Sequence, residues 1–182
     1  RASQNAFELN AFVDLLRTEG VTRYLEIGAR HGDSFHHIVS RLPPGSTGVA
    51  VDLPGGLWGT GKSRDYLKRV VQDLSEKGFA ASCLFGDSQT AATQRLIQGP
   101  GPYDAILIDG DHTLAGVTRD WELYRSMAPI IAFHDIVGTG QCEKVGGRPV
   151  EVPMLWDRLR RQYRHREFVD EGSLMGIGVL WT

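Results

Sequence analysis

The chain has little with which to staple or anchor itself. Only two of its 182 residues are cysteines, Cys83 and Cys142, too few for a disulfide framework and without metal-ligand spacing. A reducing cytoplasm is the compartment this implies. No apolar run approaches the roughly 18–20 residues needed to cross a bilayer, and Arg1 to Asn10 lack the apolar core of a secretory signal, so no membrane role is expected. An excess of one charge is missing too. Twenty basic and 22 acidic residues give a formal net charge of −2, so no global field draws the chain toward nucleic acid or anionic lipid. The one basic run, Arg158, Arg160, Arg161, Arg164 and Arg166, is interleaved with a single aromatic, Tyr163. That composition describes a solvated face better than a nucleic-acid site. Repeats, low-complexity tracts and linkers are also absent, which leaves one domain over residues 1–182.

What is present is an ordinary apolar fraction of 41% and 22 glycines that gather where apolar runs stop, the places where a backbone turns or approaches a ligand. Phe7, Ala11, Phe12, Leu15 and Leu16 recur at helical spacing and predict an opening helix to about Gly20. Tyr24–Gly28, Gly48–Asp52, Ala80–Phe85, Tyr103–Asp109 and Pro129–Asp135 read as buried strands. Between them lie helical patterns: one carrying Phe35, Ile38, Val39 and Leu42, with Asp33 or Ser34 as its cap; one with Tyr66, Leu67, Val70, Val71 and Leu74; Ser88–Ile97; and Ala115–Met127. Gly138–Val150 reads as a loop, Pro153–Tyr163 as a helix, and Arg166–Val169 with Leu174–Trp181 as a closing hairpin. Strands alternating with helices predict a Rossmann-like α/β fold, a seven-stranded, mostly parallel sheet covered on both faces and closed by a C-terminal antiparallel hairpin.

In such a sheet, ligands bind beyond the carboxyl ends of the strands, where strand order reverses. The first strand ends in Glu26-Ile27-Gly28-Ala29-Arg30-His31-Gly32, in which Gly28 and Gly32 would let the backbone pass close to a ligand before a helix N-terminus. The second ends at Asp52, a carboxylate able to accept both hydroxyls of a ribose. The third ends in Gly86-Asp87-Ser88-Gln89, polar groups suited to the edge of an adenine ring. The fourth ends in Asp109-Gly110-Asp111-His112 and the fifth in His134-Asp135. If those two tips are neighbours, Asp109, His134 and Asp135 converge on one divalent cation with positions left for substrate oxygens. His112, with an ordinary pKa near 6.5, suits a general base. Asp111 reads as a helix cap, and Gly116, Arg119 and Asp120 as parts of the helix that follows.

The series resembles the class I S-adenosylmethionine-dependent methyltransferases, whose glycine motif, ribose acid and adenine motif occur in this order. The spacing G-x-x-x-G departs from the G-x-G-x-x-G of dinucleotide enzymes, where the extra glycine admits a pyrophosphate; a methionine tail carries none. The block from Asp109 to Asp135 is similar to the metal-dependent O-methyltransferases of the catechol and macrolide-sugar types. It is closest to methyltransferase family 24, related to the cephalosporin hydroxylase group. The resemblance covers about residues 20 to 165. It implies S-adenosyl-L-methionine held by Glu26, Gly28, Gly32, Asp52, Asp87, Ser88 and Asp109, a metal on Asp109, His134 and Asp135, and His112 with Asp109 as the catalytic groups. In the macrolide-sugar enzymes the base is a histidine three residues past the first ligand, the place of His112. One departure stands out: where those relatives carry an acid, this chain has His134. Imidazole favours manganese, iron or zinc over magnesium; the alternative is a site that holds no metal, with His134 a hydrogen-bonding residue beside the pocket.

The implied reaction is methyl transfer to the hydroxyl of a small acceptor. Its pocket must come from the opening helix, the loops at Pro54–Gly61 and Gly138–Val150, or a partner subunit, which leaves a homo-oligomer open. Two rivals remain. Gly56 to Ser63 satisfies G-x-x-x-x-G-K-[ST], the phosphate-binding loop of NTPases and kinases. Against it, Leu53-Pro54-Gly55 separates the pattern from its strand, and Glu26 to Gly32 would go unused; a glycine-rich loop with Trp58 over the cofactor is the plainer reading. The other rival is a non-catalytic S-adenosylmethionine-binding protein.

Overall fold

A computed structural model describes residues 5–56, 62–138, 143–145 and 148–182. Helices α1 (Ala6–Thr18), α2 (Asp33–Val39), α3 (Ser63–Glu76), α4 (Ala91–Gln98), α5 (Leu114–Tyr124) and α6 (Val152–Leu159) alternate with strands β1 (Arg23–Ile27), β2 (Thr47–Asp52), β3 (Ala80–Phe85), β4 (Ala105–Ile108) and β5 (Ile130–His134). The hairpin strands β6 (Glu143–Val145) and β7 (Arg148–Val150) precede α6, and β8 (Arg164–Phe168) and β9 (Ile177–Trp181) close the chain. Seven strands form one sheet in the order β3-β2-β1-β4-β5-β9-β8. Its first five are parallel, whereas β9 runs antiparallel to both β5 and β8. The expected Rossmann-like sheet with its antiparallel hairpin is therefore present.

Strand alternation builds two apolar layers. Tyr24, Ala105 and Leu107 point to one side, against Phe12, Leu16, Phe35, Ile38 and Leu67 of α1 to α3. Leu25, Ile27, Ile106 and Ile108 point to the other, against Ile97, Val117, Trp121, Leu155 and Trp156 of α4 to α6. All four residues of β4 are buried, as a central parallel strand covered on both faces must be. No described helix is long and apolar enough to cross a membrane.

Several boundaries differ from the sequence expectation, each for a local reason. Neither Asp33 nor Ser34 caps α2. Gly32 does so in the left-handed region (φ 86°) without a side-chain bond, while Ser34 is turned inward. Asp111 does not cap α5: Thr113 does, accepting from the Gly116 amide, and Asp111 accepts from the Thr113 amide just ahead of it. The third inter-strand helix starts at Ala91 rather than Ser88 because Thr90 caps it, leaving Ser88 free to face α5. Residues 138–150, expected as a loop, contain the β6–β7 hairpin. The glycine-rich segment 57–61, with Trp58, and Cys142 lie outside the described residues.

Candidate active site

Strand order reverses between β1 and β4, the two strands that flank the switch point of an open parallel sheet. Gly28 has φ 91°, and a Cβ there would lie 2.1 Å from the carbonyl oxygen of Asp109. Only glycine lets the tips of β1 and β4 close to this distance. Gly32 has a different reason: a Cβ would meet Leu67 Cδ1 of α3 at 2.8 Å. The tight approach at both glycines is thus made first by the protein itself.

The acids on this side are held by their own neighbours. Glu26 is fully buried and accepts from Ser34 Oγ at 2.5 Å and from the Tyr24 hydroxyl at 2.8 Å. Burial pushes its pKa up to about 7 against the pull of those two bonds, and the charge of Asp109 adds to the rise. Asp52, at the tip of β2, accepts from the Arg30 amide and from Ser63 Oγ, each at 3.0 Å. Arg30 reaches it by adopting φ 49°, a conformation uncommon outside glycine. Burial raises the Asp52 pKa, opposed by the Ser63 and Arg30 bonds. Ser63 is the serine that a phosphate-binding loop would place on magnesium; here it is buried and committed to Asp52. Each carboxylate oxygen keeps a second acceptor direction for a further hydroxyl donor.

The polar turn after β3 rests on α5. Ser88 Oγ donates to Asp120 Oδ1 at 2.8 Å, the Tyr124 hydroxyl donates to the Ser88 carbonyl, and Gln89 Nε2 donates to the Gly116 carbonyl at 3.0 Å. Asp87 is exposed and accepts from the Gln89 amide at 2.8 Å.

Across the switch point, four titratable groups crowd together. Because β4 pairs with β5 in parallel register, Asp109 and the pair His134-Asp135 come to adjoining tips. His134 Nδ1 lies 3.3 Å from Asp109 Oδ1 and 3.2 Å from Asp135 Oδ1. His112 Nδ1 lies 2.8 Å from Asp135 Oδ2, and its Nε2 lies 3.5 Å from Asp109 Oδ1. Asp135 has φ 60°, which aims one oxygen at each histidine. Burial pulls the His134 pKa down, but the neighbouring carboxylates, Asp109 first, outweigh it and hold it at about 9. Burial likewise lowers His112, and Asp135 and Asp109 more than reverse it. Asp135 itself resists burial and sits below the usual carboxylate range, chiefly through His112.

One ligand atom from each of Asp109, His134 and Asp135 lies within 4.8 Å of the others, the span expected for donors around a single divalent ion. The His134 Nε2 atom is buried and has no hydrogen-bond partner among the described residues. Two carboxylates and an imidazole form a donor set suited to manganese, iron or zinc. The residues fit a cation.

The expected Glu26, Gly28, Gly32, Asp52, Asp87, Ser88, Asp109, His112, His134 and Asp135 stand at or just beyond the carboxyl ends of β1 to β5. Tyr24, Ser34, Ser63 and Asp120, which hold neighbours in this group, and Glu8 carry no such role in the sequence pattern. Glu8 is fully buried on α1 and accepts from the backbone amides of Asp170 and Gly176 at 3.0 and 3.1 Å. It thereby fixes the start of β9, where Ile177 pairs with His134. An acid inside the apolar stripe of α1 was the available signal.

With this geometry in place, the chain can be set beside known proteins. A family profile described as a methyltransferase domain matches residues 25–136, and the chain belongs to that family. It is a methyltransferase. An O-methyltransferase from Bacillus cereus, solved in complex with SAH, superposes with a TM-score of 0.73 at 14% identity, over 99% of this chain and 83% of that one. The O-methyltransferase TomG from Streptomyces achromogenes, involved in tomaymycin synthesis and solved with SAM, gives 0.71 at 17% identity, over 99% and 82%. At such identities the likeness shows the fold. No curated protein matches the chain significantly in sequence.

Proposed function

We propose that this methyltransferase carries a methyl group from S-adenosyl-L-methionine to a hydroxyl oxygen of a small acceptor, with a divalent cation on Asp109, His134 and Asp135. One observation carries the reading. Asp109 joins both halves of the site, its carbonyl occupying the space opened by Gly28 and its carboxylate lying against His134. The likeness to O-methyltransferases solved with SAH and SAM supports it.

In this reading Asp52 takes the ribose hydroxyls, the turn at Asp87 and Ser88 meets the adenine edge, and Glu26, Gly28, Gly32 and Asp109 surround the methionine tail. The sulfonium supplies an electrophilic methyl group, and a cation, when bound, polarises the acceptor hydroxyl and lowers its pKa. His112 accepts the hydroxyl proton at Nε2. Asp135 Oδ2, beside Nδ1, holds the ring orientation and stabilises the imidazolium as it forms. One carboxylate thus serves both the metal set, through Oδ1, and the base, through Oδ2. Holding acceptor and methyl donor in line supplies most of the remaining acceleration.

The test is transfer of labelled methyl from S-adenosylmethionine to a panel of hydroxylated small molecules, with manganese and with chelator. The expected result is metal-dependent transfer that His112→Ala slows by about 10²–10⁴-fold with the KM for S-adenosylmethionine unchanged. Full transfer by that variant removes His112 from the base role. Cofactor binding without turnover across the panel favours a non-catalytic binding protein.

A further inference from the structure

One buried acid has no part in the transfer itself. Asp120 lies in the middle of α5 with no exposed surface, and burial raises its pKa to about 6 against the hydrogen bond from Ser88. Its Oδ2 atom has no hydrogen-bond partner among the described residues. A carboxylate is a costly choice for such a place unless the bond it does make has a use.

That bond reaches the turn after β3. Gly116, Asp120 and Tyr124 stand four residues apart, one above another on a single stripe of α5. Each grips the turn by a different group: the Gly116 carbonyl accepts from the Gln89 side-chain Nε2, the Asp120 carboxylate accepts from the Ser88 hydroxyl, and the Tyr124 hydroxyl donates to the Ser88 carbonyl. A Cβ at Gly116 would lie 2.1 Å from the Asp111 carboxyl, so a larger residue there would have to push that side chain aside. Asp120 Oδ2 also lies 3.7 Å from where a Gly110 Cβ would be. The stripe therefore sits between the β3 turn and the residue that follows Asp109.

We propose that Asp120 is a positioning residue for purine recognition: it touches no ligand, and by fixing Ser88 it holds the turn Gly86–Gln89 in the shape that selects a 6-amino purine. The proposal rests on the S-adenosylmethionine reading above. Adenine offers a 6-amino donor and an N1 acceptor, whereas hypoxanthine reverses both, so a turn held in one shape accepts the first and rejects the second. A turn left to relax tells them apart less well.

The experiment is calorimetric titration of the full chain with S-adenosylhomocysteine and with S-inosylhomocysteine. Wild type is expected to prefer the adenosyl compound. Asp120→Ala is expected to weaken adenosyl binding by about tenfold and inosyl binding much less, so that the preference shrinks, while Asp120→Asn, which keeps an acceptor for Ser88, restores it. Tyr124→Phe removes only the bond to the Ser88 carbonyl and is expected to shrink the preference in a milder, well-folded background; it decides the matter if Asp120→Ala does not fold. An unchanged preference in the variants, or an equal loss for both compounds, overturns the positioning role alone. A wild type that binds neither compound overturns the cofactor reading, and this role with it.

Discussion

The two sides of the switch point solve their electrostatics in opposite ways. On the β1–β2–β3 side, every acid that faces the site is matched by a neutral donor: Glu26 by Tyr24 and Ser34, Asp52 by Ser63 and the Arg30 amide. On the β4–β5 side, two carboxylates face two histidines, with a buried imidazole nitrogen left without a hydrogen-bond partner among the described residues. The first side is complete before any ligand arrives, as the proposed recognition of a large, fixed cofactor there requires. The second sets two carboxylates against two imidazoles, an arrangement that a divalent cation would complete.

The largest effect expected from this contrast is a selective response to metal. Manganese at about 1,000 times its Kd should stabilise wild type by about 4.1 kcal/mol, a shift of roughly 8–16 degrees in Tm. Asp135→Asn, which tolerates the same backbone, should abolish the shift and the bound metal, while Asp52→Asn should keep both. Thermal melts with metal analysis decide it; a shift that survives in Asp135→Asn removes that residue from the ligand set.

Next in size is a pH effect on the other side. The Glu26 pKa is about 7, above its ordinary 4.5, so the folded state holds this proton more tightly than the unfolded chain. Below pH 4.5 no stability is lost. As pH rises through 7 the burial of the charge is progressively felt, and above it the loss is complete. Glu26→Gln should therefore be more stable than wild type at pH 8, by up to about 3 kcal/mol, and no more stable at pH 4, while binding S-adenosylhomocysteine less well. Denaturant melts at the two pH values read this directly, and an equal difference at both would locate the effect elsewhere.

The smallest expected change is at Ser63. Ser63→Ala removes one of two bonds to Asp52 and should weaken S-adenosylhomocysteine binding by about fivefold, with kcat at saturating cofactor unchanged. A loss in kcat instead would mean that Ser63 acts on the acceptor side.

What was legible in the sequence follows the same division. The strand tips were readable because doubly buried parallel strands are continuous apolar runs, as in Ala105–Ile108, and their first polar residues declare themselves. The pairs that hold those residues were not. Asp120 reads as a polar position on a helix, and its partner Ser88 is 32 residues away. Glu8 bonds to Gly176 across 168 residues. Such contacts exist only once the layers have packed. Ser63 was hidden differently, absorbed into a phosphate-loop pattern whose tertiary setting alone separates the two uses. The caps of α2 and α5 were misassigned by one to two positions because several polar residues adjoin each start, and only backbone geometry chooses among them.

The most direct test is calorimetric titration of wild type with S-adenosylhomocysteine and, separately, with ATP and magnesium. One adenosyl site per chain and no ATP binding are predicted, with affinity for the first falling about 100-fold in Asp52→Ala and nearly unchanged in Lys62→Ala. ATP binding that depends on Lys62, or S-adenosylhomocysteine binding indifferent to Asp52, would contradict a cofactor seated at the switch point.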